Sequence, residues 1–323
     1  MSLTTKLAAG LALALLGAAP AAAQQDYPNK SVKIIVPFGV GGPADIFARV
    51  MGQHLSEALK QSFVVEPRPG AGGVTGTDAA AKSPGDGYTL LMMSSTHTTN
   101  ESLIPNKPYQ LMRDFAAVAL VNTADLVMVV HPSVAAKDVK EFIALAKAKP
   151  DALNYASSGP GTPYHMAAEL FKAMTGTQIQ HVPHKASGDM RSSIIGGHVQ
   201  MGFDAVSTMM ETVKGGQVRA LGTTSLKRTA VLPDVPTVAE SGVPGYEATI
   251  WIGMMAPIAT PKPIVDKLNA EILKILGRAD IKQSWAKQGA DPASMTAAQF
   301  DAFLRKDIEK WADVVKKTGA SVK

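Results

Sequence analysis

The stretch "SVKIIVPFGVGGPAD", Ser31 to Asp45, runs from an apolar segment through a glycine-rich turn into a helical pattern. "SVKIIV" reads as a strand, being a short apolar run. Gly42 suits a helix N-cap and Pro43 the first helical position. "ADIFARVMGQHLSEALK" then places Ile46, Phe47, Val50, Met51 and Leu55 on one stripe at helical spacing. Strand, glycine turn and helix together form the repeating unit of an α/β fold.

That unit recurs along the chain. Strand-like runs include "SFVVE", "YTLLMMSS", "AAVALV", "DLVMVVHP", "LNYASS", "QIQHVP", "VQMGFDA", "VRALGTTS" and "IWIGMMAP". Helical stretches lie between many of them. "YHMAAELFKAM" puts Met166, Ala167, Leu170 and Met174 on one face, and "KDVKEFIALAKAKP" is stopped by Pro150. The alternation predicts parallel sheets. The end differs. "TPKPIVDKLNAEILKILGRADIKQSWAKQG" and "TAAQFDAFLRKDIEKWADVVKKTG" are helical without a strand, and are expected to pack back onto an earlier lobe. The chain exceeds what one small core usually organises, so two lobes are expected. No low-complexity linker or short-period repeat is present. Strands crossing between the lobes, not a tether, should join them.

The N-terminus has its own logic. Lys6 precedes an apolar run from Leu7 to Ala19, and Ala21, Ala22 and Ala23 offer small residues for cleavage. This is the layout of a secretory signal spanning residues 1–23. The run is too short to span a bilayer comfortably, which weighs against a retained anchor. The chain has no cysteine, so no disulfide framework, thiolate site or lipidated cysteine is available. The formal net charge of +5 is spread among interspersed acids and bases, with no basic run or aromatic stripe. No nucleic-acid partner is expected.

"GVGGPA", Gly39 to Ala44, formally fits G-x-G-x-x-G/A, and the next strand ends in the acid Glu66. A dinucleotide is nevertheless disfavoured. The protein looks exported, and Pro43 removes an N–H where a pyrophosphate needs donors. "PRPGAGG" also crowds the ribose position. Free amides at the helix start still make a ready anion site. The device appears twice more: in "RPGAGGVTGTDAAAK" near Gly73, and in "YASSGPGTPYHMAAELF". In the latter Thr162 can cap and Pro163 follows it, while Ser157, Ser158 and Thr162 add hydroxyls. Each turn alone could be only a well-made cap. Three at carboxyl ends of strands point to the edge where open α/β sheets bind ligands.

His181 and His184 have H-x-x-H spacing, with His165 as a third candidate. Residues three apart at a strand end point to opposite sides, so no metal is expected. His184 is read as a ligand-lining donor and His181 as a packed strand residue. No G-x-S-x-G elbow surrounds Ser157 or Ser158, and no H-E-x-x-H occurs. Glu169 lies along its helix, away from the turn. Asp45 reads as a first-turn acid that favours the helix dipole, orders cleft donors or meets a ligand ammonium.

The order and spacing of "YPNKSVKIIVPFGVGGPADIFARVM", "PRPGAGGVTGTDAAAKSPGDGYTLL", "YASSGPGTPYHMAAELF", "HVPHKASGDMRSSIIGGHVQMGFD" and "LPDVPTVAESGVPGYEATIWIGMMAP" resemble the Bug/TctC family. These are the extracytoplasmic solute-binding receptors of tripartite tricarboxylate transporters, and the resemblance covers essentially the whole mature chain. It implies an α/β, type II periplasmic-binding-protein fold: two α/β lobes joined by crossing strands, with a ligand cleft between them. Residues 26–124 plus 251–323 would form lobe one and residues 125–250 lobe two. The crossings would fall near Val121–Leu126 and Thr249–Met254.

The two carboxylate-gripping loops of the family match "PFGVGGPAD" and "SSGPGT". Carried over, Phe38, Gly39, Gly42 and Asp45 face Ser157, Ser158, Gly161, Thr162 and His165. Ser94 and His97 would line the mouth from lobe one, Asp204 and Ser207 from lobe two. Backbone donors and ordered water, not an arginine clamp, would hold the ligand. The chain departs from the family at Val40 (usually proline), His184 (usually aromatic) and Ala186 (often glycine). The resemblance thus implies a monomeric periplasmic receptor without a cofactor. It would deliver a small organic carboxylate, aliphatic or aromatic, to the membrane subunits of such a transporter. An exported enzyme acting on a carboxylate and a ligand-free sensor or scaffold are the alternatives.

Overall fold

The computed structural model describes residues 27–287 and 289–320; the expected signal segment, residues 1–23, lies outside them. The opening stretch forms β1 (Val32–Val36), paired in parallel with β2 (Phe63–Pro67) on one side and β3 (Thr89–Ser94) on the other. Val32, Ile34, Ile35 and Val36 are all buried, as a strand covered on both faces requires. α1 (Pro43–Leu59) and α2 (Val74–Ala81) supply the connections, with Gly42 at the N-cap and Pro43 opening α1. α3 (Thr96–Leu103) and the short α4 (Leu111–Asp114) lead to β4 (Phe115–Ala124).

The chain then changes sheet. β5 (Leu126–Val130), β6 (Asn154–Ser157), β7 (Gln180–Pro183), β8 (Met201–Ala205) and β9 (Arg219–Thr223) form the second sheet, in the order β7-β6-β8-β5-β9. α5 (Val139–Ala148), α6 (Pro163–Thr175), α7 (Ser187–Ile195) and α8 (Val206–Lys214) join its strands. β10 (Ile250–Pro257) returns to the first sheet, and α9 (Lys262–Gly277), α10 (Ala279–Ala286), β11 (Ala290–Pro292) and α11 (Ala297–Thr318) complete it. Its order is β11-β4-β10-β3-β1-β2. The protein is thus a pair of α/β lobes, the architecture that the resemblance implies.

The two passes between sheets run side by side. Ala124, the last residue of β4, pairs with Ile250, the first of β10, and β5 begins at Leu126 in the other sheet. Thr224 Oγ1 accepts the Leu126 amide at 2.9 Å, and the Ala248 amide donates to Thr224 O at 3.1 Å. The late helices pack on the first sheet as expected. Asn269 on α9 donates to Val118 O of β4 at 2.8 Å. The Asp307 carboxylate on α11 accepts from Thr98 Oγ1 of α3 at 2.6 Å and from Trp251 Nε1 of β10 at 3.1 Å. Glycine is required under this helix. A Cβ on Gly253 would lie 2.3 Å from Phe300 Cζ.

Three expectations change. The sheets are mixed: β10 runs antiparallel to β3 and β4, and β5 antiparallel to β8 and β9, because these strands carry the chain between lobes. β11 is a strand between the late helices, paired with β4. The buried helix faces are also rotated. In α1, Phe47, Met51 and Leu55 are buried with Ala44, Ala48 and Gly52, while Ile46 is 44% exposed. Gly52 explains this, since a Cβ there would lie 3.0 Å from Phe63 O, so the helix meets β2 through its small residues. In α6, Tyr164, His165, Ala168, Glu169 and Phe171 are buried beside the expected Met166 and Ala167, and Met174 is exposed.

Candidate functional site

The carboxyl ends of β1, β3, β6 and β7 open onto one cleft of about 410 Å3. One wall is the β1–α1 turn, Phe38 to Ala44, with Ser94 and Thr96 beside it. The opposite wall is Ser158 with Thr162 to Tyr164, and then Lys185 to Gly188 at the start of α7. Ile250 and Ile252 of β10 add an apolar lining. A ligand held here would therefore touch both sheets and one crossing strand.

Three helices start in this cleft without a side-chain cap. Gly42 has no side chain to offer α1, and Ala186 none that could accept a hydrogen bond at α7. Thr162 occupies the N-cap of α6, but its hydroxyl donates to Gly159 O at 2.7 Å and does not cap as expected. The first amides with intrahelical acceptors are those of Ile46, Met166 and Met190. The amides before them point out of the helix ends with partial positive charge. By contrast α5 and α11, which start elsewhere, are capped by Asp138 and by the Thr296–Gln299 capping box. Lys185 is the one charged side chain among the lining residues, and it pairs with no carboxylate among the described residues. The cleft is thus built for an anion.

Of the residues expected at the site, Phe38, Gly39, Gly42, Ser94, Ser158 and Thr162 line this cleft. The others stand behind or beside it. Asp45 is buried; its carboxylate accepts the Gly41 amide at 2.9 Å and takes Arg49 at 2.9 and 3.1 Å. Burial opposes its charge, but Arg49 and the Gly41 amide outweigh this and hold the carboxyl below its ordinary range. Of the roles open to it, Asp45 orders the turn. His97 is fully buried beneath Phe38, the rings edge to face at 5.6 Å. Thr77 Oγ1 donates to Gly73 O at 2.8 Å and so accepts His97 Nε2–H at 2.9 Å, leaving Nδ1 to accept the Ser94 amide at 3.2 Å. Burial pushes this imidazole down to about 4, so it is a neutral strut.

The second lobe repeats the device. The turn between β6 and α6 rests on stacked rings: His165 lies 4.3 Å from His181, and His181 4.8 Å from Tyr155. His165 Nδ1 accepts the Gly161 amide at 3.1 Å. Ser157 Oγ is 2.6 Å from His181 Nε2 and accepts the Gly159 amide at 3.1 Å. Tyr155 OH donates to Glu169 at 2.6 Å, which also takes Lys172 at 2.7 Å. His184 donates its amide to Ser157 O, and its Nδ1 lies 3.1 Å from Val182 O. Asp204 is buried against Arg191 of α7, Nε to Oδ2 at 2.8 Å, and accepts from the Ala205 amide and Thr208. Burial pushes its carboxyl up against the pull of Arg191. Ser207 is exposed in the first turn of α8. Glu66, the acid of the dinucleotide outline, is held by Lys33 at 2.7 Å and by Arg68.

Sequence reasoning placed its third helix start near Gly73, which is not among the lining residues, and missed the start of α7. Lys185, Ser187 and Gly188 follow β7 in "HKASGD", a turn without the Gly-Pro signature of the other two. Its position directly after a strand was the available signal. Among the described residues no cluster suits a metal ion, and no helix is long and apolar enough to cross a membrane.

Comparison with known proteins gives the family and the fold. The family model described as "Tripartite tricarboxylate transporter family receptor" matches residues 47–320. Protein BugT of Bordetella pertussis is 37% identical over the full length of both chains. The structure of Rhodopseudomonas palustris Rpa4515 with adipate superposes with a TM-score of 0.84 at 33% identity, covering 91% of this chain and 99% of that one. MatC from the same organism with bound malate gives 0.81 at 29% identity, covering 90% and 100%.

Proposed function

The chain belongs to the tripartite tricarboxylate transporter receptor family, and we propose that it captures a small organic carboxylate between its lobes and delivers it to the membrane subunits of such a transporter. Residues 26–124 plus 251–323 act as lobe one and residues 125–250 as lobe two, closing by hinge motion at the paired crossing segments. Residues 1–23 direct export to the periplasm. The protein binds without turnover.

One observation carries this reading: three uncapped helix starts, from facing lobes, meet Lys185 in one cleft. A hydrogen bond to a charged group contributes about 1.5–3 kcal/mol. Four of them at the upper end, about 12 kcal/mol, less an association cost of about 4 kcal/mol, come to the roughly −8 kcal/mol of micromolar binding. Adipate and malate, the ligands in the titles of the related structures, are the natural first probes.

The test is calorimetry on Ser158→Ala combined with Thr162→Ala. These hydroxyls line the cleft, and Thr162 also ties the turn to Gly159 O. Affinity for the best-bound carboxylate falls at least tenfold while the circular dichroism spectrum stays native. Unchanged affinity would reject the site, and recovery of chemically altered ligand would reject binding without turnover.

A further inference from the structure

Besides the Thr162 hydroxyl, the turn from Ser157 to Thr162 is held by side chains that do not line the cleft. Gly159 has φ +114° and Gly161 φ +75°, so the turn bends through conformations that other residues rarely adopt. Each bend is anchored to an imidazole. The Gly159 end reaches His181 through Ser157 Oγ, and the Gly161 end meets His165 Nδ1 directly. The same Gly161 abuts lobe one: a Cβ placed there would lie 3.0 Å from Leu103 Cδ1 and 3.3 Å from Asn100 Oδ1. The turn is therefore at once a wall of the ligand cleft and a point where the lobes touch.

We propose that His165, stacked on His181 and Tyr155, is a positioning residue that fixes this turn in its anion-accepting shape, and that a proton taken from solvent onto His165 Nδ1 releases the turn. The inference rests on the carboxylate-receptor reading of the cleft. Its logic is one of donors and acceptors. A backbone N–H needs a lone pair, and Nδ1 offers one only while unprotonated. Protonation turns that nitrogen into a second donor aimed at the Gly161 amide. The bond is then lost, and a backbone donor is left without its partner beside the interlobe contact.

His181 responds differently. With Nε2 protonated it donates to Ser157 Oγ, whose own proton can turn toward Gly159 O at 3.3 Å. His165 is thus the sensitive member. The charged and titratable groups around the stack are Glu169 and Lys172 on α6, Tyr155 on β6, and His181 and His184 at β7. Burial, helped by Lys172 and opposed by Glu169, pushes His165 down to about 4. Burial, with His165, Lys172 and His184 beside it, pushes His181 down to about 3. Both folded-state values lie below the ordinary histidine value. The stabilisation from the neutral stack is therefore complete above about pH 6.5 and is lost as pH falls toward 4.

The experiment follows the Gly161 amide by nitrogen-15 NMR and hydrogen exchange between pH 7 and 3.5, with the Met128 amide of β5 as monitor of the global fold. In the wild type the Gly161 amide should lose protection near pH 4, before Met128 does. In His165→Asn, whose side-chain oxygen accepts an N–H but takes no proton, Gly161 should stay protected through that range. In His165→Phe, which keeps a ring but no acceptor, Gly161 should be unprotected already at pH 7. Calorimetry with adipate and malate at pH 7 should show at least a tenfold loss of affinity in His165→Phe and a smaller loss in His165→Asn. The proposal is overturned if Gly161 ignores pH, titrates alike in His165→Asn, or opens only together with Met128. The amide readout needs no ligand. A wild type that binds no carboxylate would sink the functional reading, while the amide result still decides the role of His165.

Discussion

Replacing Asp204 by alanine lowers the unfolding free energy by about 3 kcal/mol. Asp204 is fully buried and accepts three bonds, from Arg191 Nε, the Ala205 amide and Thr208 Oγ1. Alanine removes every acceptor at once and leaves the Arg191 cation, the Ala205 amide and the Thr208 hydroxyl without that partner. Breaking a fully buried ion pair costs roughly 3–5 kcal/mol. The lower end applies here because the Arg191 side chain keeps 24% of its surface exposed and can turn toward water. The thermal midpoint should fall by roughly 6–12 °C. Asp204→Asn keeps one acceptor oxygen for the Ala205 amide and should lie between the two. A loss under about 1 kcal/mol for the alanine variant, measured by urea denaturation, would mean that the carboxylate does not anchor α7. Arg191 lies on α7, whose first residues Ser187 and Gly188 line the cleft, so binding should weaken as well.

Gly76→Ala is expected to weaken carboxylate binding about thirtyfold, near 2 kcal/mol. Gly76 lies on α2, outside the cleft, yet a Cβ there would sit 2.6 Å from Arg68 O and 2.8 Å from Pro37 Cα. Both obstacles are backbone, so no side chain can swing away. Either α2 lifts or the Pro37–Gly39 segment moves, and Phe38 and Gly39 line the cleft. Overpacking of this kind costs about 1–3 kcal/mol. Alanine regains up to about 1 kcal/mol in helix propensity. Stability should thus change less than affinity, a separation that calorimetry and denaturant titration on the same sample can measure. Native affinity in this variant would show that the first turn is not positioned by α2.

Much of this was legible in the residues, and the reasons are local. "SVKIIV" reads as a strand because it is a short apolar run, and Gly42-Pro43 marks a helix start whatever surrounds it. The alternation of runs predicted α/β structure because each unit is written within a few tens of residues, and the length of the chain predicted two lobes. What escaped depends on contacts far apart in sequence. β11 has three residues and acquires strand geometry only by pairing with β4. The buried face of α1 is set by Gly52 against Phe63, not by the apolar stripe that includes Ile46. The H-x-x-H spacing was read as no metal site, with His181 as a packed strand residue and His184 as a ligand-lining donor. Only the pairing of Tyr155 with His181 across β6 and β7, with His165 from α6 alongside, turns those rings into a stack behind the turn. Lys185 was silent because a lone lysine in a loop has many uses until a cleft surrounds it.

The central claim is that amides from facing lobes converge on one anionic guest. Nitrogen-15 NMR titration with adipate and malate tests it most directly. The amides of Ala44 and Asp45 at the start of α1, and of Tyr164 and His165 at the start of α6, should shift downfield together and saturate with a single dissociation constant. Shifts confined to one lobe, or to residues away from these helix starts, would contradict the account.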